Sequence, residues 1–94
     1  MIKSFKHKGL QLFFETGNTK GIQQIHALKI SRILFALDSL SDISDLALPA
    51  YRLHPLKGDL KGQWAVTVQA NWRITFKYDQ ITKDVYIVDY HDYH

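Results

Sequence analysis

Trp64-Ala65-Val66-Thr67-Val68-Gln69-Ala70-Asn71-Trp72-Arg73-Ile74-Thr75-Phe76-Lys77-Tyr78 is the stretch that decides the fold. Trp64, Val66 and Val68 alternate with Ala65, Thr67 and Gln69, and Trp72, Ile74, Phe76 and Tyr78 alternate with Arg73, Thr75 and Lys77. A period of two is the signature of a half-buried strand. Ala70-Asn71 leaves room only for a hairpin turn between two such strands, which makes them antiparallel neighbours. The aromatic set on 72–78 belongs to a buried face, and Arg73, Thr75 and Lys77 to an open one. A slip of one residue would exchange these sets, so the tryptophan side fixes the register.

Outward from the hairpin, Asp79 to Asp84 reads as a longer turn. Val85 to Val88 reads as a third strand, every residue β-branched or aromatic. Gly58 and Gly62 bracket a polar connection, and Tyr51 to Leu53, before Pro55, offers a fourth short strand. Further upstream the period changes. Ile30, Ile33, Leu34 and Leu37 follow the i, i+3, i+4, i+7 spacing of a helix face, and Ile22 and Ile25 extend it, which predicts a helix over about 22–38. Leu10, Phe13 and Phe14 mark an earlier helix that Gly17 would cap, with a turn over 17–21. Ile2 to Phe5 reads as a short edge strand. Asp38 to Asp45 reads as a loop or a short helical turn, closed by Pro49. The whole predicts an α+β domain: two N-terminal helices packed on one face of a small antiparallel β-sheet, with the other face open to water.

Ninety-four residues hold one domain, 1–94, since domains usually run to roughly 100–150 residues. The 46% hydrophobic and 22% charged fractions are those of a globular chain. Cysteine is absent, which excludes a disulfide framework, a cysteine-ligated zinc site and a thiol nucleophile. So small an unstapled domain suits a reducing cytoplasm. The charged opening Met1 to Lys8 lacks the apolar run of a signal peptide. The longest apolar stretch, Ile33 to Leu37, is far too short to span a membrane.

The net charge of +3 is unevenly spread. Residues 1–37 carry six Lys/Arg against Glu15 alone, and 52–78 carry five against Asp59. Residues 38–51 and 79–94 are acidic. Basic blocks on a small domain suit an anionic partner such as nucleic acid, although a solvated charged surface is the commoner explanation.

Three groups of residues bear chemistry. In His54-Pro55-Leu56-Lys57-Gly58, Pro55 forces His54 to be extended and Gly58 frees the following turn, so His54 and Lys57 stand at the mouth of a loop. Histidine moves protons near neutral pH and lysine is a point charge suited to phosphate. Arg73, on the open face of a central strand, needs an anion or a carboxylate, and its planar fork suits phosphate. The chain then ends Asp89-Tyr90-His91-Asp92-Tyr93-His94, one Asp-Tyr-His triplet after another. This end could hold a metal through His91 and His94 with Asp89 or Asp92. No other His/Cys group has spacing to match a metal site, and the competing reading is a proton-transfer pair beside a phosphodiester; the tyrosines could equally be core aromatics. His26 reads as a partly buried helix residue and His7 as part of the basic N-terminal segment.

Ile-Lys-Ser-Phe near the start, Phe-Glu-Thr-Gly closing the first helix, Arg-Leu-His-Pro-Leu-Lys-Gly, Asn-Trp-Arg-Ile-Thr-Phe and a terminal Asp-Tyr-His occur in this order. The pattern resembles the HigB toxins of bacterial toxin–antitoxin modules, in the RelE superfamily, and the resemblance spans 1–94. It implies a RelE-like fold and an endoribonuclease that cleaves messenger RNA in the ribosomal A site without a cofactor. It also implies neutralisation by a HigA-type helix-turn-helix antitoxin, DNA being reached only through that antitoxin. By motif, the resemblance makes His54, Lys57 and Arg73 active-site residues, joined by Asp92, Tyr93 and His94, with Asp89, Tyr90 and His91 as the alternative triplet. Lys6, Lys8, Lys57, Lys61 and Arg73 are the expected RNA contacts. The rival class is a non-catalytic RNA- or protein-binding module of the same fold, which would be expected to have lost part of the set His54, Lys57, Arg73 and His94.

Overall fold

A computed structural model describes residues 1–60 and 62–93; Lys61 and His94 lie outside the described residues. The hairpin forms with the expected register up to Thr67, and shifts by one residue near its turn, where Gln69 instead of Val68 stands opposite Trp72. Strands β2 (Gln63–Gln69) and β3 (Trp72–Tyr78) pair antiparallel, with Val66 opposite Ile74 and Thr67 opposite Arg73. Ala70 takes φ 50°, in the left-handed region that tight hairpin turns use and that alanine adopts only at a cost.

Two further strands complete an antiparallel sheet, β4 (Val85–Asp92) beside β3 and β1 (His54–Pro55) beside β2, in the order β1-β2-β3-β4. The third strand outruns the expected 85–88 because its pairing continues until Asp92 stands opposite Trp72. The fourth strand is displaced from 51–53. Pro49 opens a single 3-10 turn, Pro49–Tyr51, and Arg52 turns left-handed, so pairing begins only at His54. Ile2 and Phe5 make isolated parallel bridges to Val85 and Val88 on the outer edge of β4, where a short edge strand was expected.

Helix α1 (Lys8–Thr16) is capped by His7, whose Nδ1 accepts the Leu10 N–H at 3.0 Å. Gly17 ends it at φ 79°, donating to the Phe13 carbonyl in the left-handed cap that glycine adopts without strain. Helix α2 (Ala27–Asp38) starts later than the expected residue 22, because Gln23 is extended and Gln24–His26 winds as a 3-10 turn. Asp42 caps a further turn, Ile43–Leu46, in a capping box with Asp45. Gly9 of α1 and Gly21 press backbone on backbone: a Cβ on Gly9 would stand 2.6 Å from the Gly21 carbonyl oxygen.

Leu10 and the α2 residues Ile30, Ile33, Leu34 and Leu37 form one core with Val66, Ile74, Phe76, Val85 and Val88. Phe76 is fully buried at its centre, and truncation to alanine should cost about 3–5 kcal/mol. The helices therefore cover the aromatic face of the sheet, as its register demanded. The opposite face is less open than expected. Ala65 and Thr75 are buried there, in a trough flanked by Lys6 and the loop residues Leu56 and Leu60.

Strand β4 changes phase midway. Lys77 faces Tyr86 and Thr75 faces Asp89, so Phe76 alone spans both Ile87 and Val88. This is a β-bulge, and Ile87 sits in it at φ 50°. A β-branched residue is an outlier there, at a cost of about 1–3 kcal/mol. Beyond the bulge Val88 and Tyr90 turn into the core, while Asp89 and His91 come onto the open face opposite Thr75 and Arg73.

Candidate active site

Directly opposed residues on paired strands share a face. One row on the open face therefore runs His54, Ala65, Thr75, Asp89, and the next runs Thr67, Arg73, His91. At about 4.8 Å per strand, His54 and Asp89 stand about 14 Å apart across the sheet. Small Ala65 and Thr75 floor the space between them. The adjoining cleft of about 160 Å³ is lined by Lys6, Leu56, Leu60, Thr75, Ile87, Asp89, His91 and Tyr93, among others.

Arg73 is anchored on backbone carbonyls, and among the described residues it makes no ion pair with a carboxylate. Its Nη1 donates to the carbonyl oxygens of Ala70, at 2.6 Å, and Trp72, at 3.2 Å. These are uncharged acceptors, and His91 stands opposite Arg73 on β4. The neighbouring carbonyl of the same turn, Asn71, accepts the Tyr93 N–H at 2.8 Å. Tyr93 follows the last residue of β4, and its ring lies 4.8 Å from that of His91 at 39°. Asp89 Oδ2 stands 3.6 Å from His91 Nδ1. His91 Nε2 and Thr67 Oγ1 are buried with no hydrogen-bond partner among the described residues. Both orphaned atoms belong to the row that contains Arg73.

The histidines sort by what faces their Nδ1. His54 Nδ1 lies 3.1 Å from the Arg52 carbonyl oxygen, and an oxygen without a proton can only accept. Nδ1 of His54 therefore carries the hydrogen, leaving Nε2 as the nitrogen that exchanges a proton. Asp89 Oδ2 faces Nδ1 of His91 as well, at a distance too long for a hydrogen bond. His7 is the reverse case, its Nδ1 accepting within a helix cap. His26 is buried, with Nδ1 2.7 Å from the Tyr90 hydroxyl. His7 and His26 thus serve the fold. Tyr90 stacks on Trp72 at 4.6 Å, and burial pushes its phenol above the ordinary value.

The expected residues are distributed as follows. Arg73, His54 and Tyr93 come to the open face or its cleft. Lys57 is exposed at the start of the Gly58–Leu60 turn, on the loop whose Leu56 and Leu60 line the cleft. Lys6 lines the cleft, whereas Lys8, exposed at the start of α1, is not among its lining residues. Asp92 pairs with Trp72, on the helix side of the sheet. Lys61 and His94 lie outside the described residues, and with His94 the metal reading of the chain end. Among the described residues no three His, Cys, Asp or Glu side chains gather to hold a metal ion. The alternative triplet divides, with Asp89 and His91 on the open face and Tyr90 in the core. Thr67 escaped the sequence reading although the hairpin register alone places it opposite Arg73. Ile87 and Ser4 escaped it because nothing in the alternation announces a bulge.

Comparison with known proteins agrees with this architecture. Residues 3–94 match the family model of the RelE-like toxin of type II toxin–antitoxin system HigB. The chain is 52% identical to the endoribonuclease HigB of Proteus vulgaris over 94 residues, the full length of both. Among solved structures, a YoeB/ParE toxin from Agrobacterium tumefaciens superposes with a TM-score of 0.65 at 13% identity, covering 99% of this chain and 98% of that one. YafQ from E. coli strain BL21(DE3) superposes with a TM-score of 0.64 at 17% identity, covering 98% and 91%. At such identities these structures speak for the fold alone. The match over 3–94 carries the family assignment: the chain belongs to the HigB-like toxins, RelE-like toxins of type II toxin–antitoxin systems.

Proposed function

We propose that this toxin is an endoribonuclease that cleaves messenger RNA on the ribosome and so arrests translation, and that its antitoxin is of the HigA helix-turn-helix type. The observation that supports it best is the Arg73 guanidinium on the open face, without a carboxylate partner among the described residues, between Thr67 Oγ1 and His91 Nε2, which likewise lack hydrogen-bond partners there. The 52% identity to an endoribonuclease supports the reaction class.

The RNA supplies its own nucleophile. The 2′-oxygen forms a bond to the adjacent phosphorus, the bond from phosphorus to the 5′-oxygen breaks, and a cyclic phosphate and a 5′-hydroxyl result. One group must accept the 2′-hydroxyl proton and another must give a proton to the leaving oxygen, each contributing roughly 10²–10⁴-fold. His54, with Nε2 as its working nitrogen, takes one of these roles. Arg73 and Lys57 stabilise the charge that grows on the phosphoryl oxygens.

At the chain end the tyrosine separates the two triplets. Tyr90 is buried against His26 and Trp72 and meets no substrate. Tyr93 stands in the cleft, where a base can stack on it. We therefore assign the working end of the chain to Tyr93 and His94, with His91 supporting the Tyr93 ring; Asp92, opposite Trp72 on the helix side, would act only by holding the end of β4. Lys6, Lys8 and Lys61 join Lys57 and Arg73 as phosphate contacts. The protein works in the cytoplasm, without a cofactor; no described helix is long and apolar enough to cross a membrane.

Primer extension on cellular messages after induction tests the activity. New 5′ ends within translated frames are the expected result. Growth arrest without such ends would favour the non-catalytic binding module.

A further inference from the structure

We propose that Ser4 is a positioning residue of the active site, holding the strained bulge that turns the chain end toward the RNA. Its hydroxyl oxygen accepts the Ile87 N–H at 2.8 Å, at the point where β4 changes phase. The ladder on either side is ordinary backbone pairing. Lys3 N–H donates to the Val85 carbonyl at 2.7 Å, Val88 N–H to the Ser4 carbonyl at 3.1 Å, and Lys6 N–H to the Val88 carbonyl at 2.9 Å. At the bulge the rung between the two segments is a side-chain bond instead, the Ile87 amide at φ 50° being met by the Ser4 hydroxyl and not by a backbone carbonyl.

The consequence reaches the site through chain geometry. With strict alternation from Val85, the residues sharing the open face with Tyr86 would be Val88, Tyr90 and Asp92. The extra residue reverses this, so Asp89 and His91 stand opposite Thr75 and Arg73, and Tyr93 follows onto the same side. A strained residue persists only where its surroundings hold it, and Ser4 is the side chain that bonds its amide. Ser4 is not among the residues lining the cleft, and acts through the placement of β4.

The test is single-turnover cleavage on saturating ribosomes by purified Ser4→Ala, Ser4→Thr and the double variant Ser4→Ala/Ile87→Gly. Misplacement of a site by an ångström can cost about 10²-fold. Ser4→Ala should therefore lose roughly 10- to 10²-fold in maximal rate with unchanged ribosome affinity. Ser4→Thr, which keeps the oxygen, should cleave near the parent rate. Glycine takes a positive φ without strain, so the double variant should regain most of the loss although it has one side chain fewer. Full activity of Ser4→Ala would overturn the proposal, and so would a loss shared by Ser4→Thr or left unrepaired by Ile87→Gly. The inference rests on the open face being the active one. Should that reading fail, Arg73→Ala cleaves at the parent rate and both fall. Should only the Ser4 proposal fail, Arg73→Ala is inactive while Ser4→Ala is not.

Discussion

Arg73 and Tyr93 are moored to adjacent carbonyls of one hairpin turn, the guanidinium on Ala70 and the Tyr93 N–H on Asn71. The two-residue connection between β2 and β3 is thus also the anchor of the site. A cation from the middle of the sheet and an aromatic from beyond the last strand are held to the same point. Ala70 adopts a left-handed φ of 50° in this turn, and its carbonyl accepts from Arg73.

Arg73→Ala should abolish growth arrest and lower single-turnover cleavage by about 10²–10³-fold, the usual loss when a donor to developing charge is removed. The fold should survive, since Arg73 lies on the face away from the core. Arg73→Lys should also lose most activity, because a point charge cannot reproduce the fork. Cleavage rates beside thermal melts decide this, and a fully toxic lysine variant would show that charge alone suffices.

Deleting His94 should remove a proton-transfer group and lower cleavage by roughly 10²–10⁴-fold with little loss of stability. His91→Ala should lose less, through a loosened Tyr93 ring, and His91→Phe, which keeps a stacking ring, should recover part of it. If His91→Ala is instead the severe variant and the truncation mild, the chemistry belongs to Asp89 and His91. Chelation should leave the parent's single-turnover rate unchanged on ribosomes that retain their own magnesium.

The sheet, its core face and both helices were legible because periodicity is a strong local signal. Trp72, Ile74, Phe76 and Tyr78 state which side of β3 is buried, and Arg73 is thereby placed on the other. The 3-10 turns were not legible. Pro49 and the extended Gln23 end regular structure through backbone angles that several residue types adopt. The phase of β4 was hidden for a deeper reason. Val85 to Tyr90 alternates no better in one phase than in the other, and the bulge is set by long-range partners, Ser4 on one side and Phe76 on the other. The family resemblance named the site residues but could not show that Tyr90 is core and Tyr93 is not.

Two buried phenols set the alkaline limit. Burial raises the Tyr78 phenol, helped by the Asp42, Asp45 and Asp79 carboxylates, and burial raises that of Tyr90. An unfolded tyrosine ionises near pH 10. Above that the unfolded state loses protons that the folded state keeps, so stability should fall as pH rises through the folded values and be untouched below. Melts at increasing alkalinity should show the fall, and Tyr78→Phe/Tyr90→Phe should flatten it. At neutral pH the two should differ. The Tyr78 hydroxyl is buried without a partner among the described residues, so Tyr78→Phe should be neutral or stabilising. Tyr90→Phe should cost about 1–3 kcal/mol, because it strands the buried His26 Nδ1.

Cleavage should depend on the ribosome, and salt should reveal why. The net charge is only +3, too little for tight binding to naked RNA when each phosphate contact must displace a condensed counterion. Among the described residues the cationic groups nearest the cleft are few: Lys6 on its wall, Lys57 on the adjoining loop and Arg73 on the sheet. A ribosome adds phosphates around the protein's rim and presents the message in a fixed path, so these groups need only position one phosphodiester. Naked messenger RNA should therefore be cut negligibly at physiological salt, and the same message on ribosomes efficiently. Ribosome affinity should fall steeply with salt, and each lysine-to-alanine change at positions 6 and 57 should lower the slope of log affinity against log salt by about one. Arg73→Ala should lower cleavage far more than affinity, because its charge is directed at the reacting phosphate. Efficient cleavage of naked RNA at physiological salt, or equal losses of affinity from all three variants, would mean that the open face grips RNA unaided.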